Sequence, residues 1–310
     1  KALESIKEPT AKVVVEKEQV VIQSKSTRAG MSILLSEDEK VEDVIEELKK
    51  RTSAKRFWKL LPSNFVEGTF LCSFSASKDM NRRAYSAVCY VDDRIYSTDS
   101  LRASCYVMDR PIDYFLIAGR SSVELAKYNV TKYALTEGWA HFRTDDGVIF
   151  NCKTMEGDYP YEKLKSIFIK PSNEIHLPKE LQEVMKTAAV FSEEDIHSSK
   201  KVEVTIEGDT ITCRSKKERG WIEKVIEVEG MDAQKVQFYI NPLFLIQVLD
   251  KSTTVMLIMK SLGTEGWEWP DKALFTNENF QHIISLAKEG EEPPEENQTE
   301  SGEGDGYYSE

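Results

Sequence analysis

The sequence predicts an α+β protein built from tandem, pseudo-symmetric lobes. Two repeats predict it, and repeats are the first thing to seek in a chain of 310 residues. One unit, a short helix followed by strands, starts at Ala2-Leu3-Glu4-Ser5-Ile6, returns at Ser122-Val123-Glu124-Leu125-Ala126, and returns again at Pro242-Leu243-Phe244-Leu245-Ile246, about 115–120 residues apart each time. A second unit, a helix followed by a strand, turn and strand, appears at 87–97 and at 202–212. The two units alternate, as in a row of lobes rich in strand–helix–strand alternation. Such rows act by shape more often than by chemistry.

Each element has its own signal. Residues 12–16, 19–24 and 29–35 read as strands, the second and third alternating apolar with polar side chains. Residues 41–51 are a charged helix or linker. A strand at 57–61 precedes Pro62, which suits a helix start, and Phe65, Phe70, Leu71 and Phe74 would line that helix's buried face. Strands follow at 84–91, 94–97, 103–108 and 114–117, the first two joined by Asp92-Asp93, a turn-forming pair. A helix at 120–127 and three more strands lead to a break at Gly157-Asp158-Tyr159-Pro160. The next lobe reads as a helix at 177–190, strands at 202–206, 210–214, 225–228 and 237–240, a helix at 242–249 capped by Asn241, and strands at 254–259 and 273–275. Residues 277–288 read as a last helix, with Phe280, Ile283, Ile284 and Ala287 on one stripe. The organisation expected is 1–52 as the second half of a first domain plus linker, 53–172 and 173–288 as full domains, and 289–310 as an acidic disordered tail. The first domain's first half is expected upstream of Lys1.

Composition narrows the function classes. Net charge is −12, but nine acids and no base lie between Glu289 and Glu310, so the rest carries only about −3 and its total argues for no strongly basic surface. No run of 18 apolar residues is present, so no membrane span is expected. The five cysteines form no CxxC pair and read as buried, reduced thiols of a cytoplasmic protein. Four histidines stand far apart, and no phosphate loop, dinucleotide fingerprint or kinase motif occurs, so no metal, cofactor or catalytic set is expected. Asp145-Asp146, like Asp92-Asp93, reads as a hairpin turn rather than as paired catalytic acids.

Thr98-Asp99-Ser100-Leu101-Arg102 follows a strand directly, and Asp99 and Arg102 can brace a tight turn there. The same five residues resemble the threonine–aspartate–glycine–histidine–arginine turn of bacterial β sliding clamps, the processivity factors of replicative DNA polymerases. Met155-Glu156-Gly157-Asp158-Tyr159-Pro160, the asparagine-led helix from Asn241 to Leu249, and Lys272-Ala273-Leu274-Phe275 resemble further segments of that family, in the family's order. Ser100 and Leu101 replace its glycine and histidine, and the chain runs past the family's C-terminal motif into the segment read as a helix and an acidic tail. Divergence of this degree implies a bacteriophage-encoded or otherwise remote clamp, acting in the cytoplasm of its host.

The resemblance implies a DNA-clamp fold, with antiparallel sheets outside and helices lining a ring that encircles double-stranded DNA without bond chemistry. DNA-facing cations would be Lys78, Arg82, Arg83, Arg120, Lys127, Lys179, Lys186 and Lys251, each with a plain alternative as a solvated surface charge. A groove for a peptide of DNA polymerase or clamp loader would involve Thr98, Leu101, Arg102, Phe244, Leu274 and Phe275, although Phe244 and Leu274 equally fit a core. Closure into a homodimer ring would set Leu3 and Ile6 of one copy against Val190 and Phe191 of another. The tail, with Tyr307-Tyr308, is either a solubilising end or a cover for the groove or the DNA channel. A clamp-fold adaptor that binds replication or transcription proteins without encircling DNA is the competing function.

Overall fold

The computed structural model describes residues 12–15, 19–25, 28–32, 46, 57–170, 174–192, 201–217, 220–229, 231, 233–260 and 269–287. Leu3, Ile6, the tail and most of the 33–56 linker lie outside these residues. The chain divides into two compact units, Lys1–Phe57 and Trp58–Glu310. In the first, β1 (Lys12–Val15), β2 (Gln19–Gln23) and β3 (Arg28–Ser32) form an antiparallel meander, with Val21 and Ile22 buried.

The second unit holds two lobes of one pattern. The first lobe runs through β4 (Lys59–Leu60), α1 (Phe65–Ser73), β5 (Ala87–Thr98), β6 (Arg102–Ala118), α2 (Gly119–Leu125), β7 (Val130–Thr136), β8 (Trp139–Thr144), β9 (Ile149–Lys153) and α3 (Tyr161–Ile167). The other runs through β10 (Ile175–His176), α4 (Leu181–Ala188), β11 (Val202–Gly208), β12 (Thr210–Lys217), β13 (Gly220–Glu227), β14 (Ala233–Ile240), α5 (Pro242–Leu249), β15 (Thr254–Lys260), β16 (Trp269–Asn277) and β17 (Phe280–Ser285). The sheet order β4-β7-β8-β9 recurs as β10-β15-β16-β17. Even an isolated bridge repeats: Ile117 to Thr154 in one lobe, Tyr239 to Ala287 in the other. Each lobe packs a pair of helices, α1 with α2 and α4 with α5, on its strands.

Period-2 alternation explains the layers. Val88 and Tyr90 point into the core under α1, where Phe65, Tyr90, Phe115 and Phe142 pack at 4.6–5.9 Å between centroids, stacked except for the edge-to-face Phe115–Phe142 pair. Ala87, Cys89 and Val91 point the other way, beneath Tyr159, Leu164 and Phe168 of the α3 region. In the second lobe Val255, Ala273, Phe275 and Ile284 face the helices, whereas Met256, Leu274 and Ile283 face outward beneath Ile167 and Phe168. All five cysteines are buried and free.

Three sequence expectations are corrected here. Asp92-Asp93 is not a hairpin turn: β5 runs straight through it, and Asp92 at φ 50° marks a bulge. Residues 87–92 pair with 112–118, and 94–98 with 103–107, so four expected strands are the quarters of one long hairpin. The segment read as a last helix is β17, a strand paired with β16 on one side and β6 on the other. Its apolar stripe reflects burial on both faces of a central strand, which erases alternation. The strand at 273–275 is therefore the penultimate one. Finally, Phe70 is 51% exposed while Phe65, Gly68, Leu71 and Cys72 form the buried face of α1. The helix α3, unmarked in the sequence reading, begins at the residue after Pro160.

Candidate functional site at the lobe junction

Because β17 pairs with β6, the two lobes share one six-stranded sheet, β10-β15-β16-β17-β6-β5. Register places Ile284 opposite Arg102, Ile283 opposite Ala103 and His282 opposite Ser104. The 98–102 turn therefore sits at the seam, where Leu101 O accepts from Ser285 N at 2.9 Å.

The turn is built as its residues dictate. Asp99 Oδ1 accepts from the backbone N–H groups of Leu101 (3.1 Å) and Arg102 (3.0 Å). Thr98 Oγ1 donates to Arg102 O at 2.7 Å and accepts from Ser100 N at 3.0 Å. Ser100 takes φ 80°, the left-handed conformation in which glycine is easiest. Arg82 clamps the outside, donating to Asp99 O (3.2 Å) and Ser100 Oγ (2.9 Å).

Arg102 joins the lobes. Its Nε donates to Asp99 Oδ2 at 2.9 Å, Nη2 to Phe74 O at 2.9 Å, and Nη1 to Gln247 Oε1 on α5. Its guanidinium lies 4.2 Å from the ring centroid of Phe244 and 5.4 Å from that of Phe74. Burial lowers its pKa, opposed by Asp99; the group keeps its charge, since an arginine is protonated throughout the working range. Both sides of its ion pair are largely enclosed, with 6% and 16% of the side chains exposed.

The six residues expected in the groove thus divide. Thr98, Leu101, Arg102 and Phe244 meet at the seam. Leu274 and Phe275 are 0% and 1% exposed, on opposite faces of β16. Leu274 underlies an apolar strip on the outer sheet face, with Met256 and Ile283, which Ile167 and Phe168 flank and where Gln281 Nε2 donates to Ile169 O at 3.0 Å. Ile169 is 45% exposed beside it. Sequence reasoning missed Phe168 and Met256, because their neighbours come from β16 and β17, far along the chain.

The expected DNA-facing cations lie on or beside the helices. Lys78 and Arg83 are exposed in the loop after α1, Arg120 on α2 and Lys179 before α4. Lys127 pairs with Glu124 at 2.8 Å and Lys186 with Glu183 at 2.5 Å. Lys251 Nζ sits 4.2 Å from the Phe70 centroid. Val190 is 66% exposed and Phe191 half-buried just beyond α4, with the Phe191 ring beside Gly220 at the start of β13. β13 is an outer strand of its sheet and exposes Trp221 (62%) and Val225 (59%). Among the described residues no group of acids, histidines or cysteines is arranged to hold a metal ion, and no helix is long and apolar enough to cross a membrane.

No protein-family model matches the chain, and no curated protein sequence matches it. Solved structures do. The chain is similar to the DNA polymerase III subunit beta of Pseudomonas aeruginosa (15% identity, TM-score 0.61, covering 90% of this chain and 76% of that one). It is similar to the DNA polymerase III beta chain of Streptococcus pneumoniae (17%, TM-score 0.61, 93% and 78%). It is likewise similar to the DNA polymerase III subunit beta of Borrelia burgdorferi (14%, TM-score 0.64, 90% and 76%). The α+β fold of this chain is the fold of the bacterial sliding clamps.

Proposed function

We propose that this chain is a DNA sliding clamp, a non-enzymatic ring that encircles duplex DNA and tethers a replicative polymerase. The observation that carries the reading is the clamp fold over nine-tenths of the chain, built from lobes that repeat one sheet order. Residues 1–52 would be the second half of a first domain plus a linker, and 53–172 and 173–288 the two full domains. Copies would close head to tail as a homodimer, with the β13 edge, Val190 and Phe191 meeting Leu3 and Ile6 of the next copy. The position of β13 at the edge of its sheet among the described residues, and its exposed apolar side chains, supply the two ingredients such a joint needs. Cations on the helix layer would hold the duplex loosely, by long-range attraction to phosphate. A polymerase or loader peptide would lie at the lobe junction beside Leu101, along the strip above Leu274, with its aliphatic or aromatic anchors against Phe168 and Ile169. Arg102 and Phe244 would shape that groove from beneath. We place the protein in the cytoplasm of a cell or of a phage host, in DNA replication.

A ring threads onto linear duplex through a free end and is trapped when both ends are then blocked by bound streptavidin. The expected result is retention through a high-salt wash on blocked DNA and loss once a restriction enzyme cuts it. Equal loss from blocked and open DNA contradicts encirclement and favours the adaptor reading. That second reading draws on one observation: Lys127, just past α2, pairs with Glu124 of that helix, and Lys186 pairs with Glu183 within α4, which weakens the field toward a phosphate backbone.

A further inference from the structure

The seam between the lobes carries one buried ionisable group with an unfilled position. His282 is wholly buried on β17, opposite Ser104 of β6. Its Nδ1 lies 2.8 Å from Ser104 Oγ and 3.3 Å from Ser75 Oγ, and the two hydroxyls lie 2.6 Å apart. Its Nε2 is buried with no hydrogen-bond partner. The ring is held between aromatics, 4.9 Å from Phe74 and 6.2 Å from Phe280. These contacts select a tautomer. With the proton on Nδ1, donated to Ser104, Nε2 leaves only a lone pair unmet; with the proton on Nε2, a buried N–H would go unpaired, which costs more.

From this geometry we propose that His282 is a proton-operated latch on the joint between the lobes: neutral, it closes the β17–β6 seam, and protonated, it releases it. A second proton must sit on Nε2, where no acceptor waits, in a slot lined by rings. The charged group facing the imidazole is Arg102, from the start of β6. The α1 end contributes Phe74 and Ser75, β6 Ser104, and the neighbouring strand Phe275, opposite His282 in register, none of which is an acid. The carboxylate of Asp99, which reaches this seam through Arg102, is already engaged by that residue.

Burial, and after it Arg102, hold the imidazole's pKa well below its ordinary 6.5 in the closed joint. In an opened joint water restores the ordinary value. The open form therefore binds one more proton below about pH 6.5, and closure weakens by up to tenfold per pH unit from there downward. Above that pH the latch is fully closed. The proposal does not depend on what the groove binds or on whether the chain encircles DNA.

Amide hydrogen exchange on the full chain tests it, corrected for intrinsic exchange rates, with β17 and β6 compared to β11 and β12. At pH 5 the seam amides of the native protein are expected to lose protection roughly tenfold or more relative to pH 7.5, while β11 and β12 hold theirs. In His282→Phe, which fills the slot, cannot titrate and leaves the two serines paired with each other, the seam is expected to be insensitive to pH. Parallel pH profiles for the native protein and this variant overturn the proposal. If the variant does not fold, the ring-proton NMR titration of native His282 decides. A neutral imidazole persisting below pH 6 with falling seam protection supports the latch, and ordinary titration near 6.5 with unchanged protection refutes it.

Discussion

Replacing Arg102 with alanine separates two roles that the sequence left together. In the structure its guanidinium is consumed internally, by Asp99, the Phe74 carbonyl, Gln247 and the faces of Phe244 and Phe74. Truncation would strand the Asp99 carboxylate, whose side chain is 16% exposed, and leave the Phe74 carbonyl without its donor. Removing one partner of an enclosed ion pair costs about 3–5 kcal/mol. With a urea slope of about 3 kcal/mol per molar, the unfolding midpoint should fall by about 1 M or more. Arg102→Lys keeps the charge but cannot span three acceptors with one ammonium, so a loss of about 2 kcal/mol is expected. Far-UV circular dichroism against urea measures both. A midpoint for Arg102→Ala within about 0.2 M of the native protein would refute the argument that this residue fastens the lobes, and would return it to the role of a surface peptide contact.

Three further perturbations test particular elements. Gly68→Ala would normally help a helix, but here the added methyl would stand 2.4 Å from Tyr106 Cδ1 and 2.9 Å from Ile95 Cδ1. Overpacking should cost about 1–3 kcal/mol by urea unfolding; a stabilised variant would mean that the α1 contact is looser than described. Asn241 Oδ1 accepts from Leu243 N at 2.9 Å, so Asn241→Ala should cost about 1 kcal/mol, and no change would deny the cap. Phe191→Asp should weaken self-association, read as lower mass in sedimentation equilibrium. Unchanged mass counts against the interface at α4 and β13.

The pattern shared by the two described lobes was legible because its helices carry their own signals. Asn241 followed by Pro242 marks the start of α5, and Pro62 precedes α1 closely. Long-range pairing was not legible. Around β17, Phe280, Ile283 and Ile284 with Ala287 just beyond the strand satisfy a helical stripe, and only the two β-branched neighbours at 283 and 284 hinted at a strand. What decides the matter is β6, far earlier in the chain, which supplies the ladder. Asp92-Asp93 misled for a related reason. Acid pairs favour turns locally, yet the opposing strand holds β5 extended through a bulge. At the site, the Asp99–Arg102 brace was readable from four adjacent residues. The contacts of Arg102 with Gln247 and Phe244 were not, since no local rule reaches from one lobe into the next.

Encirclement is the central claim, and imaging tests it most directly. Electron cryomicroscopy of the protein mixed with short duplex DNA should show closed rings of two copies with the duplex passing through the hole and helices on the inner wall. Single open arcs, or DNA lying against an outer sheet, would contradict the account.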